Sequence, residues 1–201
     1  MLQFITKISD RYSVAEEAQM AVEGGCRWIQ LSAVSVENNE GVLRDVAHSL
    51  VALCSENEAF MIIENDVDLV DELKVHGVFL RDGSRETVAE ARERLGAHAV
   101  VGALCRSFED VAALKGLDVD YVAVPVPDET ISPASFYSGI SVLMRNNAID
   151  FHLVAMGDFP VGEMKNLLDA GCAGVAVSGA IADAEDPVAA TRAILEVLIH
   201  D

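Results

Sequence analysis

The sequence is short of lysine and of positive charge in general. Four lysines occur in 201 residues, and 33 acidic against 14 basic residues give a formal net charge of −19. A field of that sign repels nucleic acids and anionic membranes, so we expect neither as a partner. It also opposes the binding of polyanionic small molecules unless local groups overcome it, although solubility alone explains such a charge equally well.

The sequence also lacks a C-x-x-C pair, a long apolar run and a basic leader. No apolar stretch approaches the ~18 residues of a membrane helix, and the N-terminal M-L-Q-F-I-T has no basic segment of the kind that opens a signal peptide. Scattered cysteines without close pairing indicate reduced thiols, most of them packed as small hydrophobes. We therefore expect a cytoplasmic protein. The cysteines are Cys26, Cys54, Cys105 and Cys172.

Short apolar runs alternate with amphipathic stretches along the whole chain, which is 51% hydrophobic with a mean hydropathy of +0.29. Runs that are rich in Val, Ile and Leu without strict alternation are typical of strands covered on both faces. The pattern predicts a (β/α)8 TIM barrel as one domain over residues 1–201. A doubly wound open sheet is the alternative, but it does not require the regular spacing of the units. The predicted strands are Leu2–Ile5, Trp28–Leu31, Phe60–Ile63, Gly77–Leu80, Ala99–Ala103, Tyr121–Val124, Phe151–Met156 and Gly174–Val177.

Three of the predicted helices carry clear start signals. Ser13–Glu23 begins with a capping box formed by Ser13 and Glu16. Ser107–Lys115 repeats that design with Ser-x-x-Asp. Pro187–Ile199 opens with proline at the first helical position, after Asp186 as the N-cap.

In a barrel of this type, function lies on the loops that follow the C-terminal ends of the strands. These loops begin at Ser32, Glu64, Arg81, Leu104, Pro125, Gly157 and Ser178. After the eighth strand, Ser178-Gly179-Ala180-Ile181 predicts one short helical turn. Its backbone N–H groups and the Ser178 hydroxyl suit a phosphate oxygen, and a plain serine N-cap fits the same residues.

The sequence resembles thiamine phosphate synthases and their thiazole tautomerase relatives over nearly its whole length. The stretches that carry the resemblance are E-E-A-Q-M-A-V-E-G-G-C-R-W-I-Q-L, I-I-E-N-D-V-D-L, D-Y-V-A-V and A-G-C-A-G-V-A-V-S-G-A-I, of which the last is the most specific. The resemblance implies a barrel that joins a pyrimidine pyrophosphate to a thiazole phosphate, with Mg²⁺ neutralising the leaving pyrophosphate. Such a site needs cations, a metal ion and phosphate cradles.

The cations of the family pattern are missing here. After the second strand the family has Gln-x-Arg-x-Lys, and this chain has Gln30, Ser32 and Val34. At the end of the seventh strand the family's Gly-Gly becomes Gly157-Asp158, and a carboxylate beside a phosphate cradle repels phosphate. An alternative role for Asp158 is the N-cap of the helix that begins near Pro160.

The metal ligands of the family pattern are ambiguous. Its Asn-Asp pair after the third strand aligns directly with Glu64-Asn65, while a slip of one residue restores the pair as Asn65-Asp66. The family's strand histidine becomes Phe79, and Ser84 falls nearest the second metal position, with Asp82 two residues away. A Mg²⁺ site from Asp66 and Asp82 and a pair of solvated loop acids both fit these residues.

After the sixth strand the family has Thr-x-Thr-Lys. Both hydroxyls persist in this chain as Thr130 and Ser132, and the lysine becomes Pro133. The catalytic histidine of the tautomerase branch aligns with Val126, so the acid–base chemistry of that branch is absent from this loop.

A cysteine, a histidine and two arginines near the predicted strand ends are further candidates, independent of the family resemblance. Cys105 is expected at the barrel mouth, where Arg106 lowers the pKa of a reactive thiol, with a packed thiol as the alternative. His152 opens the seventh strand at the opposite end, which favours a structural role. Arg81 and Arg106 are the candidate cations of the rim.

Three functions remain open. The first is a divergent family member with a degraded pyrophosphate and magnesium site, which binds another small ligand with one phosphate or none. The second is an active thiamine phosphate synthase that uses Mg²⁺, and the third is a non-catalytic interaction module. The surplus of apolar residues makes a homodimer plausible. No catalytic residue is assigned. The ligand-binding candidates are Gln30, Arg81, Arg106, Thr130, Ser132, Gly157, Ser178 and Gly179.

Overall fold

A computed structural model of the protein describes residues 1–36 and 39–199. Eight parallel strands pair in chain order, and the eighth closes on the first, so the sheet is a complete barrel. This confirms the single-domain (β/α)8 barrel and rules out the open sheet. Positions 37, 38, 200 and 201 of the predicted 1–201 domain lie outside the described residues.

The strands are β1 (Leu2–Ile5), β2 (Trp28–Leu31), β3 (Phe60–Glu64), β4 (Gly77–Leu80), β5 (Val100–Leu104), β6 (Tyr121–Pro125), β7 (His152–Met156) and β8 (Gly174–Val177). The helices are α1 (Val14–Glu23), α2 (Glu40–Glu56), α3 (Val67–Leu73), α4 (Arg85–Leu95), α5 (Phe108–Ala113), α6 (Pro133–Asn146), α7 (Val161–Asp169), α8 (Gly179–Ala182) and α9 (Pro187–Ile199), and a 3₁₀ turn covers Ala33–Val36.

The predicted helix starts are confirmed by their hydrogen bonds. The Ser13 N–H donates to Glu16 Oε2 at 2.8 Å, while the Glu16 N–H donates back to Ser13 Oγ at 3.4 Å, which completes the capping box. Asp186 Oδ1 accepts from the Ala189 N–H at 2.9 Å at the start of α9. Such caps satisfy N–H groups that have no partner within the helix.

Two buried layers hold the barrel together. The larger layer lies between the sheet and the outer helices, and a smaller cluster fills the barrel itself. Ile62 belongs to the inner cluster, so Glu64, two residues further along the same strand, also faces inward. The strand was predicted to end at Ile63. The additional residue matters because it places a carboxylate inside the barrel mouth.

Among the described residues, no helix combines the length and the apolar character needed to cross a bilayer. The homodimer stays a prediction.

Candidate functional site at the barrel mouth

The predicted helical turn after β8 is present as α8, and its N-terminal N–H groups are held by a carboxylate. Asp158 Oδ1 accepts from the Ser178 and Ala180 N–H groups, each at 2.9 Å, and Asp158 Oδ2 accepts from the Gly179 N–H at 3.0 Å. Gly157, with φ of +149°, forms the turn after β7 that brings the Asp158 side chain to the start of α8. The cradle expected for a phosphate is thus filled by the protein's own side chain.

These contacts correct two expectations. The Ser178 hydroxyl does not lie free beside the cradle, since it donates to the Ile5 carbonyl at 2.8 Å. Asp158 does not cap the helix near Pro160 either, because Pro160 is itself the N-cap of α7 and has no side-chain cap hydrogen bond. Asp158 caps α8 instead, 20 residues along the chain.

The other end of α8 is held by cations from the loop after β1. The Arg11 guanidinium donates to the carbonyls of Asp183, Ala184 and Glu185 at 3.4, 2.9 and 3.4 Å. Lys7 Nζ lies 2.6 Å from Asp183 Oδ2, and this hydrogen bond raises the pKa of Lys7. Anionic and cationic groups therefore sit at the ends of α8 that favour each of them.

Lys7 and Arg11 were missed from sequence. Arg81 and Arg106 were taken as the rim cations because the loop after β1 was left out of the functional loops. The signal was available, because Leu2–Ile5 was predicted as a strand and its C-terminal end belongs to the same rim.

A second polar group runs through the barrel interior and ends at Glu64. The Gln3 side-chain amide donates to Tyr121 Oη at 3.0 Å and to Gln30 Oε1 at 2.8 Å, and Gln30 Nε2 donates to Glu64 Oε2 at 3.2 Å. Ser32 Oγ lies 3.3 Å from both Glu64 oxygens. Gln30, expected to contact a ligand, is thus committed to an internal carboxylate.

Glu64 is 1% exposed, and burial raises its pKa against the opposing effects of Arg81, Ser32 and Gln30. Its cationic neighbour is Arg81, whose guanidinium lies 3.7 Å from Glu64 Oε2 and whose side chain is 47% exposed. From the sequence, Glu64 was considered only as a possible metal-site position, and this hydrogen-bond network was not predicted.

Two of the candidate metal ligands near the ends of β3 and β4, Asp66 and Asn65, each use one side-chain oxygen in an intramolecular hydrogen bond, whereas Asp82 is bonded only through its backbone carbonyl. Asp66 Oδ1 accepts from the Leu69 N–H at 2.8 Å as the N-cap of α3, and Asn65 Oδ1 accepts from the Arg81 N–H at 2.9 Å. The Asp82 carbonyl accepts from Thr87 Oγ1. Within residues 1–36 and 39–199, no three His, Cys, Asp or Glu side chains are grouped so that they could hold a metal ion.

The remaining ligand candidates lie on separate loops of the rim. The Thr130 N–H donates to Asp128 Oδ1 at 2.8 Å, and Ser132 caps α6 through the Ser135 N–H at 3.5 Å. The Arg106 side chain is exposed, and its backbone N–H donates to Asp110 Oδ2 at 2.8 Å.

The cysteine at the mouth is packed. Cys105 follows β5 directly and is fully buried, and burial raises the pKa of its thiol to about 12, with Asp110 adding to the rise. Arg106 acts in the expected direction, but burial outweighs it. His152 opens β7 at the end of the barrel away from the mouth, as predicted.

Comparison of the sequence with known proteins indicates one family. A family model described as thiamine monophosphate synthase matches residues 2–181. Thiamine-phosphate synthases of Bacteroides fragilis (strain ATCC 25285) and Bacteroides thetaiotaomicron are 35% and 36% identical over 98% of this chain, covering 98% and 96% of their own lengths. The structure of thiamine phosphate pyrophosphorylase from Pyrococcus furiosus has a TM-score of 0.82 at 22% identity, covering 98% of this chain and 94% of that chain, which supports the fold.

Proposed function

The chain belongs to the thiamine monophosphate synthase family, and we propose that it is a member whose mouth binds a small ligand without a diphosphate. In this proposal it does not join hydroxymethylpyrimidine pyrophosphate to thiazole phosphate. The observation that carries the proposal is the Asp158 carboxylate on the three N–H groups of Ser178, Gly179 and Ala180. A phosphate cannot use these donors while Asp158 holds them, and the carboxylate repels it.

The charge of the remaining mouth supports the same proposal. Ser32 and Val34 replace the two cations of the family pattern, and Gln30 is turned towards Glu64. Lys7 pairs with Asp183, and Arg11 with the carbonyls after α8, so these two of the rim cations are already engaged. A diphosphate would have to compete with these partners in a chain of net charge −19.

Mg²⁺, which the family reaction requires by resemblance, finds no group of three His, Cys, Asp or Glu side chains within residues 1–36 and 39–199 that could hold it. Asn65 Oδ1 and Asp66 Oδ1 each accept a hydrogen bond from a backbone N–H group, which leaves fewer oxygens of this pair for a metal ion. We therefore derive no step through the metal.

Product formation tests the proposal directly. The protein is incubated with both substrates and Mg²⁺, and thiamine phosphate is measured by chromatography, with the Bacteroides thetaiotaomicron synthase as the positive control. We expect no product above background, and calorimetry with pyrophosphate or thiamine phosphate should give no Mg²⁺-dependent heat. Formation of thiamine phosphate overturns the proposal.

A gain-of-binding variant makes the test sharper. Val34→Lys combined with Asp158→Gly restores two positions of the family pattern, and Val34 is 49% exposed, so the lysine side chain can reach solvent. We expect this variant to bind pyrophosphate at least about tenfold more tightly than the wild type, because it gains a cation and frees three donors. Equal binding by both proteins would contradict the role given to Asp158.

The second candidate is an active synthase, and a specific observation favours it. The similarity to thiamine-phosphate synthases covers 98% of this chain at 35–36% identity. In that case Lys7, Arg11, Arg81 and Arg106 must supply the positive charge. The same product assay decides between the two candidates.

A further inference from the structure

The starting point is the incomplete compensation of the Glu64 carboxylate at the mouth. Its hydrogen bonds from Gln30 and Ser32 measure 3.2 and 3.3 Å, and the Arg81 guanidinium lies at 3.7 Å. Charge-assisted hydrogen bonds to a carboxylate are about 2.7–2.9 Å long. Glu64 is therefore oriented by neutral donors, and Arg81 forms a long ion pair with it.

A buried carboxylate without a close cation is unfavourable for folding, since burial removes water without replacing its donors. Carboxylate oxygens can together accept about four hydrogen bonds. Glu64 uses two neutral donors and one distant guanidinium, so acceptor capacity remains at the C-terminal end of β3. That end of the barrel is where ligands bind in this fold.

The adjoining cavity selects the sign of a ligand. A cavity of about 390 Å³ lies between the ends of β2 and β3, and Glu64 is one of its lining residues. The other charged residues that line it are Glu40, Asp66 and Asp68. An anion entering this cavity meets carboxylates on its described lining residues, with Arg81 and Arg44 as the cations beside them, whereas a cation is attracted by the excess of negative charge.

We propose that Glu64 binds a small ligand carrying a planar cationic nitrogen group, an amidinium or guanidinium, which displaces Arg81. The inference rests on the proposed function, because it names the ligand class of that same mouth. A planar group with two parallel N–H donors matches a carboxylate, and the half-exposed Arg81 side chain can move into solvent. Gln30 and Ser32 act as positioning residues, since they fix the carboxylate plane.

Benzamidine is the probe, and benzamide and benzoate are its neutral and anionic counterparts of the same shape. Binding is measured by titration calorimetry and by chemical-shift changes at Glu64 and Arg81. We expect benzamidine to bind in the millimolar range or tighter, and benzamide and benzoate to bind at least about tenfold more weakly. Failure of the wild type to bind benzamidine, or equal binding of benzamide, overturns the inference.

Matched variants locate the site. Glu64→Gln keeps the side-chain shape and should weaken benzamidine binding at least about tenfold. Glu40→Gln makes the same chemical change at an exposed wall of the cavity, and should change binding less than about threefold. If both variants lost the same benzamidine affinity, the attraction would come from the summed negative charge of the cavity. That result would overturn the role of Glu64.

Arg81→Ala keeps the test decisive if Glu64→Gln fails to fold. Removing the resident guanidinium should strengthen benzamidine binding, and weaker binding overturns the displacement. The outcomes also separate the two proposals, because benzamidine binding does not involve the synthase substrates. Product formation together with Glu64-dependent binding overturns the proposed function alone, while no product and no Glu64-dependent binding overturns this inference alone.

Discussion

Asp158 and Gly179 are in contact at the barrel mouth, with the Asp158 carboxylate 3.0 Å from the Gly179 backbone nitrogen. The two residues lie on the loops that follow neighbouring strands, β7 and β8, and together they close the N-terminal end of α8. The contact holds the N–H groups that a phosphate would use, so it can be tested through stability as well as through ligands.

Replacing Asp158 should destabilise the protein. Asp158→Ala removes the acceptor of three backbone N–H groups, and loss of a helix cap costs about 1 kcal/mol in the free energy of unfolding. Asp158→Asn should lose less, because the amide oxygen still accepts. Urea unfolding measures both variants.

The control for this prediction is Asp150→Ala, which removes an exposed acid before β7, at the opposite end of the barrel. Surface substitutions of this kind change the free energy of unfolding by about 0.5 kcal/mol or less. If Asp150→Ala lowered the free energy of unfolding as much as Asp158→Ala does, the loss would come from removing any acidic side chain and not from removing the cap.

Adding a methyl group at Gly179 should displace the same carboxylate. A Cβ at this position would lie 2.7 Å from Asp158 Oδ2 and 2.7 Å from Asp183 Oδ2, so both side chains must move. We expect Gly179→Ala to destabilise the protein by about 1 kcal/mol, even though alanine favours helices, because the cap is lost. Urea unfolding in a double-mutant cycle with Asp158→Ala should show non-additive losses, since both changes break one contact.

Gly162→Ala is the matched control, because a Cβ there meets nothing within 4 Å. It lies in α7, where alanine should stabilise the protein by up to about 1 kcal/mol. Additive losses for Gly179→Ala and Asp158→Ala would mean that the two residues act independently, contrary to the geometry.

The sequence predicted the strands because strands that are buried on both faces consist of short runs rich in Val, Ile and Leu. Leu2–Ile5, Trp28–Leu31, Gly77–Leu80 and Gly174–Val177 agree with the structure at both ends. The helix α8 was also predictable, because barrels of this type frequently carry a short extra helix after the last strand. These features depend on neighbours in the chain, and local patterns report them well.

The side-chain partners at the mouth were not predictable in the same way. Asp158 lies 20 residues before Ser178, and Glu64 lies 34 residues after Gln30. The sequence around Asp158 does not show whether this residue caps α7 or α8. The helix α7 follows it directly along the chain, whereas α8 lies beyond β8. The family pattern showed which residues differ in this chain, and only the fold shows which side chains take their places.

The thiols should be unreactive in the folded protein. All four cysteines are buried, and burial raises the pKa of Cys105 to about 12, so its thiolate is scarce at neutral pH. We expect iodoacetamide at mildly alkaline pH to leave the native protein unmodified in intact-mass spectra. The same treatment in urea should label four sites, and selective native labelling of Cys105 would restore the reactive thiol as an explanation.

Protonation of Glu17 should make stability depend on pH. Glu17 is fully buried at the base of the loop that carries Lys7, with one oxygen accepting from the Lys7 N–H at 3.3 Å. Its other oxygen has no partner among the residues that the structure describes. Burial raises its pKa from 4.5 to about 6, against the lowering effect of the Lys7 N–H.

A raised acid pKa means that the folded state binds the proton more tightly than the unfolded state. Below pH 4.5 both states are protonated and Glu17 has no effect, while above about pH 6 the buried charge destabilises the fold. A shift of about 1.5 pKa units corresponds to about 2 kcal/mol. The unfolding free energy of the wild type should therefore fall by about that amount relative to Glu17→Gln between about pH 3.5 and about pH 7, most steeply between 4.5 and 6, and then stay level. Urea unfolding of both proteins across this range measures the difference, and a constant difference at every pH would contradict the assignment to Glu17.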